Sequence, residues 1–453
     1  MLSVWTRCED VSKGQDAVHA AKELYLPKLK DQSAEDYTSY VKRATFYNAT
    51  WRTIAGMLGM LFRKPLIIDV PAAIEPFLED ISMDGSPLQV FAQEVAEECL
   101  EKGRCGLLVD FPQADIQSAT VADAQRLGLR PSIQLYEAQT IINWRTSRIN
   151  NQSVISMVVL TEDSITLKDE FTEVKTTHYR VLDLFEGKYR VRIFEVSDSG
   201  LDVLLDEKFP LMNNKPMDFI PFVFMSTDDL TPDVDDPPLI DLVNMNLAHY
   251  RTTADYEHGC HFTGLPTAVV SGYVADKGEK LYIGSQSAWV FPDPSAKATY
   301  LEFTGQGLTS LENNLTRKEA QMAILGARML EVQKRGVETA DTASIHRKGE
   351  ESILSSIAQV ISMGMTRALS WFSQWAGADA NVKFEINRDF YPVEMTPQEL
   401  TALIAAWQTG GISKQVLFDN LKQGEIIDSK VSFEEEEARI SNSQPMITAP
   451  VGG

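Results

Sequence analysis

The stretch 333–341, Gln333-Lys334-Arg335-Gly336-Val337-Glu338-Thr339-Ala340-Asp341, joins two long helical patterns, and those patterns decide the architecture. On its N-terminal side, Thr309-Ser310-Leu311-Glu312 has the form of a capping box, in which hydroxyl and carboxylate satisfy free backbone donors. Leu308, Leu311, Leu315, Met322, Leu325 and Met329 follow at three- and four-residue steps, interrupted only by Lys318. That is the narrow apolar seam of a helix packing in a bundle or ring. On the C-terminal side the pattern predicts a helix over 342–376, roughly 50 Å long at about 1.5 Å per residue. Its first third, with His346, Arg347, Lys348, Glu350 and Glu351, is polar. From Ile353 onward, Ile357, Val360, Ile361, Gly364, Ala368, Trp371, Phe372 and Trp375 make a thick apolar face. Ile353, Ile357, Val360, Ile361 and Phe372 are therefore the expected core or ring-packing positions. Long helices meeting at a basic, glycine-containing loop suit a ring that threads a polymer better than they suit an enzyme pocket. Two core helices of an ordinary domain are the plainer alternative.

Composition narrows the classes. A chain of 453 residues, 44% hydrophobic and 23% charged, can bury large cores in two or more structural regions. Its longest apolar run, 54–62, falls short of the roughly 18–20 residues of a membrane span, and Met1-Leu2-Ser3-Val4-Trp5-Thr6-Arg7 lacks the layout of a signal peptide. No membrane association is expected. Cys8, Cys99, Cys105 and Cys260 are scattered, as free thiols in a reducing compartment would be. The net charge is −22, which excludes a conventional DNA-gripping domain, because phosphate neutralisation supplies most of such affinity. An acidic lumen could still surround a duplex and let it slide. Solubility alone explains the charge equally well.

The chain reads as α+β. Helices are expected over 33–46 and 48–62, the second ended by Lys64-Pro65. Ser86-Pro87 starts another, with Leu88, Phe91, Ala92, Val95 and Cys99 on one face and Gly103 as its stop. A buried strand follows at 105–110, then strands at 132–136, 141–144, 154–161, 178–185, 189–196, 201–205 and 219–224. Alternation after Glu186-Gly187-Lys188 marks a hairpin. An acidic, proline-containing break, 227–238, precedes a helix reaching Thr263, with Val243, Leu247, Tyr250 and Ala254 on one face. Short strands are expected at 267–270, 280–283, 288–291 and 299–303. The bracketing helices, 237–263 and 307–332, match in length, about 40 Å each, and predict an antiparallel stalk with a β module at its tip. A strand at 381–386 and helices at 396–408, opened by Thr396-Pro397-Gln398-Glu399, and 414–423 complete the chain before a mobile acidic tail.

In this order the chain resembles the portal (head-to-tail connector) proteins of tailed double-stranded DNA bacteriophages, over nearly its whole length. Asp241, Leu242, Asn246, Tyr250 and Arg251 carry the pattern of the first stem helix, and 103–112 looks like a wing segment of one portal branch. The resemblance implies an α/β wing (1–236), stem helix (237–263), clip (264–306), second stem helix (307–332), tunnel loop (333–341), long bent helix (342–377), returning wing strand (378–395), helical crown (396–428) and flexible acidic tail (429–453). It implies a dodecameric ring at one capsid vertex that passes DNA and docks the terminase large subunit, then the neck or tail adaptor, alongside major capsid and scaffolding proteins. Such a protein belongs to the virion and assembles in the host bacterial cytoplasm. Gln333, Lys334, Arg335, Gly336, Val337, Glu338 and Thr339 would then line the channel. Tyr273, Lys277, Lys280, Tyr282 and Trp289 would be the exposed partner-binding residues of the clip, Trp289 serving equally well as clip core. No chemistry is implied; ATP hydrolysis belongs to the terminase.

Three motifs invite chemical readings, and none is compelling. His258-Gly259-Cys260-His261, with His249 nearby, is one cluster where structural zinc wants four ligands at paired spacings. Gly56-x-x-Gly59 and Gly305-Gln306-Gly307 lack the lysine and hydroxyl of a P-loop. The 228–236 run lacks the glycine and terminal glutamate of an EF-hand. No catalytic, metal or cofactor residue is expected. The competing readings are an enzyme whose carboxylates are scattered in sequence, and another virion neck protein.

Overall fold

The computed structural model describes residues 1–111, 129–149, 151–167, 169–196, 202–264, 267–272, 291, 294–301, 306–328, 352–388, 390, 397–424, 426–427 and 431–443. The chain divides into two units, Met1–Ile386 and Asn387–Gly453. Both helices and strands contribute, so the fold is α+β.

The first unit opens with helices α1 (Leu2–Lys13), α2 (Gln15–Ala20), α3 (Ala34–Arg43) and α4 (Ala49–Leu61). Polar caps set two of their starts: Ser33 Oγ accepts from Asp36 N at 3.0 Å, and Asn48 Oδ1 accepts from Trp51 N at 2.9 Å, each satisfying a free donor. After the short strand β1 (Ile67–Asp69) comes α5 (Leu88–Lys102), ended by Gly103 in the left-handed conformation (φ 73°). A side chain on Gly103 would also meet Pro237 Cα at 3.0 Å, so conformation and space both demand glycine.

Strand β2 (Arg104–Asp110) is buried along six of its seven residues. With β3 (Ser132–Glu137) and the later β11 (Phe222–Ser226) it makes a three-stranded antiparallel sheet, order β11-β2-β3. Between β3 and β11 lie β4 (Ile141–Ile149), β5 (Gln152–Leu167), β6 (Glu173–Phe185), β7 (Lys188–Val196) and β8 (Asp202–Lys208), an antiparallel meander in chain order. The small hairpin β9 (Leu211–Met212) and β10 (Lys215–Pro216) follows it. The β6–β7 turn places Glu186 and Gly187 at φ 50° and 75°, as a two-residue hairpin with matching twist requires.

The chain then forms α6 (Ile240–Gly264), the hairpin β12 (Thr267–Ser271) and β13 (Lys297–Leu301), α7 (Gln306–Ala327), α8 (Ile353–Trp375) and β14 (Lys383–Glu385). One core gathers Cys8 and Val11 of α1, Tyr40 of α3 and Val243, Leu247, Tyr250 and Ala254 of α6. A second forms around α8. Gly364 lies so close to β11 that a Cβ there would be 2.2 Å from Met225 Sδ. Phe372 meets Phe77, Trp371 meets Phe219, and Trp375 Nε1 donates to Leu211 O at 3.0 Å. Hydroxyls of α8 hold the returning strand: Thr366 Oγ1 both accepts from Phe384 N and donates to Phe384 O (3.1 Å each), and Ser362 Oγ accepts from Ile386 N at 3.0 Å. β14 in turn pairs antiparallel with β1.

The second unit contains α9 (Pro397–Gln408), α10 (Lys414–Gln423) and α11 (Phe433–Ser443). Ser413 caps α10 by accepting from Val416 N, and Lys414 pairs with Glu437.

Three expectations need correction. The helix expected over 342–376 begins at Ile353, because Ser352 is extended (φ −69°, ψ 159°) and caps Ser355 N; residues 342–351 lie outside the described ones. Thr309 does not cap α7, which starts at Gln306, where extension carries Leu308 into close packing on Gly259 of α6. Finally, the acidic tail is helical over α11. Ser432 and Glu435 form a reciprocal capping box, with Glu435 N donating to Ser432 Oγ and Ser432 N donating to Glu435 Oε2, both at 3.1 Å. Glu434, Glu435 and Glu436 sit in the first turn, where the helix dipole favours negative charge.

Candidate functional site

The feature set apart from the sheets is a two-helix arm, α6 and α7, carrying the β12–β13 hairpin. Residue contacts fix its sense. Gly259 faces Leu308, His249 Nε2 lies 3.4 Å from Glu319 Oε1, and Lys318 Nζ donates to Ala248 O at 2.7 Å. Rising numbers on α6 match falling numbers on α7, so the helices are antiparallel. They span 25 and 22 residues, and the hairpin register runs from Thr267↔Leu301 to Ser271↔Lys297.

Lys318, the one interruption of the apolar seam, is explained by this packing. Its ammonium also donates to Thr252 Oγ1, so a cation replaces an apolar contact and cross-links the helices. Burial, then repulsion from Arg251 and Arg317, pulls its pKa below the usual lysine value. His249 is likewise lowered below 6.5, by burial above all, against the attraction of Glu319.

The arm is anchored to the helical body by Asn246, which is fully buried. Its Oδ1 accepts from Ala49 N and Thr50 N at 3.1 Å each and from Thr50 Oγ1 at 3.0 Å, while Nδ2 donates to Tyr47 O at 2.7 Å. Leu242 and Tyr250 are buried with it, whereas Asp241 and Arg251 are exposed. Three positions of the motif are thus internal anchors. Farther along, Tyr40 Oη donates to Asp255 Oδ1 at 2.6 Å, and His258 Nδ1 lies 3.3 Å from Arg43 Nη2. His258 also packs against Tyr40 and Phe262. The imidazole is therefore spent on packing, and burial followed by Arg43 lowers its pKa. Among the described residues, no group of three or more His, Cys, Asp and Glu side chains is arranged to hold a metal ion.

The acidic segment leading into the arm is clamped from β2. Arg104, 1% exposed, packs over the rings of Trp144 and Phe224 (4.1 and 4.8 Å to their centroids), and its Nη1 donates to Asp233 O at 3.3 Å. Burial pulls this guanidinium down to about 10, opposed by Asp235. Asp229 Oδ1 accepts from Thr231 N and Oγ1, so the run is an organised turn. Gly56 and Gly59 both lie inside α4 and form no phosphate-cradling loop.

The expected channel residues, Gln333, Lys334, Arg335, Gly336, Val337, Glu338 and Thr339, lie outside the described residues, as do Tyr273, Lys277, Lys280, Tyr282 and Trp289 of the hairpin module. The strand expected at 280–283 lies there too, as does the one expected at 288–291 except for Phe291, which is not in a strand. Of the packing residues, Ile353 is half-buried, while Ile357, Val360, Ile361 and Phe372 are at most 3% exposed within the single chain. That face is consumed by the subunit's own core and is closed to a neighbouring copy. The arm differs: Leu308, Leu311 and Leu315 are only half-buried, and Phe262 and Ile324 are 56% and 55% exposed. The sequence seam on α7 carried that signal. The stem-helix pattern singled out Asn246 and the 103–112 segment contains Arg104, but no local signal told that the first anchors the arm or that the second clamps the acidic segment.

Residues 238–376, from the approach to α6 through α8, match the profile of a domain of unknown function (DUF4055). No curated protein matches the chain. Among solved structures, the neck of an empty gene transfer agent (GTA) particle computed with C6 symmetry aligns at 10% identity and a TM-score of 0.39, covering 88% of this chain and 92% of that one. A virion of a native gene transfer agent particle (10% identity, TM-score 0.38, 94% and 98% covered) and the neck of a native GTA particle computed with C12 symmetry (12%, 0.38, 92% and 95%) align similarly. Likenesses this distant carry no argument about the present chain.

Proposed function

We propose that the chain is a portal (head-to-tail connector) subunit. Twelve-fold rings of it would sit at one capsid vertex, conduct DNA during packaging and ejection, and dock first the terminase large subunit and then the neck or tail adaptor. The observation that carries this reading is the arm: two antiparallel helices of 25 and 22 residues, tipped by a hairpin and capped onto a helical body by one buried asparagine. That is the stem–clip–stem order of the family the sequence resembles. The wing is then the sheet-bearing body, and the crown is the helical second unit.

A ring also accounts for the half-buried Leu308, Leu311 and Leu315 of the α7 seam and for the exposure of Phe262 on α6 and Ile324 on α7, since neighbouring arms would cover them. In such a ring Lys334 and Arg335 form basic belts in an otherwise acidic lumen. They touch phosphates transiently and independently of sequence. Lys277, Lys280 and the aromatic residues of the hairpin module face the docking partners. The role is mechanical, with no bond-breaking step assigned to this chain.

Native mass spectrometry and electron microscopy of the purified full chain test the reading. A closed ring with a central channel is expected; a monomer or dimer under all assembly conditions overturns it.

A further inference from the structure

The meander β4-β5-β6-β7-β8 has, among the described residues, two edges with no further strand. Among the described residues, β4 pairs with β5 alone and β8 with β7 alone, so each presents outward backbone donors and acceptors to any strand that approaches. The edges differ in character. On β8, Val203, Leu204 and Leu205 are 46%, 47% and 48% exposed. Exposed apolar surface continues through Phe209 and Leu211, which line a groove with Phe185. Among its described side chains the strand carries Asp206 and Glu207 against Lys208, one net negative charge, with Asp206 paired to Lys208 and Glu207 to Arg190. On β4, Ile142 and Ile149 are 47% and 43% exposed, and the only charges are Arg145 and Arg148, both exposed.

Signs and directions select the partner. Four successive antiparallel pairings leave β4 and β8 running the same way. A second copy placed head to tail brings its β4 alongside β8 as a parallel pair, basic edge against acidic edge, with apolar side chains on both. Pairing β8 with β8 would set acid against acid, and β4 with β4 arginine against arginine, both unfavourable. Head-to-tail contacts close into rings when their rotation closes. We propose that the sheet continues from subunit to subunit, β8 of one copy pairing with β4 of the next by strand addition. This deepens the ring reading and rests on it.

Hydrogen exchange on the assembled and dissociated full chain tests the proposal. Amides in 141–149 and 202–208 should exchange at least about tenfold more slowly in the assembly, as ladder formation requires. Equal exchange at both edges in an intact ring overturns the shared sheet and leaves the ring standing; a chain that never assembles overturns both. Protection confined to β8 in a dimer overturns the head-to-tail pairing. As a second readout, Leu204→Asp with Leu205→Asp should leave melting of the dissociated chain unchanged and weaken assembly about tenfold or more. Assembly that is unaffected, with both edges still exchanging freely, overturns the proposal.

Discussion

Asn246, on the first helix of the arm, acts as a cap for a helix it does not belong to: its Oδ1 accepts from both Thr50 N (3.1 Å) and Thr50 Oγ1 (3.0 Å) at the first turn of α4. Together with Ala49 N and Tyr47 O, this one fully buried side chain fixes where the arm leaves the body. Of the three α4 donors that it accepts from, Thr50 N and Thr50 Oγ1 depend on it, whereas Ala49 N also donates to Tyr47 O at 2.9 Å. Asn246→Ala should cost about 2–4 kcal/mol, since buried groups left unpaired lose their full desolvation penalty. Denaturant unfolding measures it, and a loss below about 0.5 kcal/mol would show that water replaces the amide.

Gly364 and Met225 make a sharper test, because the clash has a named partner. Gly364→Val should destabilise by about 1–3 kcal/mol through overpacking. Met225→Ala in the same chain should return part of that loss by vacating the space that the new side chain needs. A double-mutant cycle with no coupling would mean that α8 and β11 are less closely apposed than the contact implies.

Ile357 and Met363 lie on the same helix with opposite environments, 0% and 45% exposed. Ile357→Asp should abolish cooperative melting of the subunit itself, because an unpaired buried charge costs several kcal/mol. Met363→Asp should shift melting by no more than about 0.5 kcal/mol. Equal tolerance at both positions contradicts the packing of α8.

His249 gives a pH dependence whose sign follows from its environment. The folded state holds its pKa below 6.5, so folding favours the neutral ring. Stability is fully present above 6.5 and falls as pH drops through 6.5 towards the folded value, where the ring must charge beside Lys318 despite Glu319. His249→Gln should flatten stability over that window. An unchanged slope as pH falls below 6.5 would assign the acid sensitivity elsewhere.

Lys334→Ala with Arg335→Ala separates a channel role from a structural one. A channel role gives intact rings with impaired DNA packaging or retention, independent of DNA sequence. A bridge from Arg335 to a neighbouring acid gives weaker rings. Normal packaging in normally stable rings leaves Lys334 and Arg335 with neither role.

Most elements were legible because their signals are local. Ser33 and Asn48 cap, Gly103 stops α5, and Glu186-Gly187 turns, each through chemistry confined to a few neighbouring residues. The paired helices and their hairpin followed from periodicity in the same way. Where local signals competed, the sequence misled: Thr309 offered a good cap, but packing of Leu308 on Gly259 outweighed it, and Ser352 cut a periodic run that seemed continuous. Acidity suggested a mobile tail, yet the Ser432–Glu435 box and the helix dipole turn the same charges into support for α11.

The sequence by itself determined the order of elements and the existence of two long apolar faces, because a 3.6-residue period needs no partner to be read. It could not say what covers each face. Only the tertiary structure decided that α8 is consumed by β11, Phe77 and the returning strand, while the seam of α7 stays half open. Burial depends on residues more than a hundred positions away, such as Met225 against Gly364 and Thr50 against Asn246, and no local pattern encodes that distance.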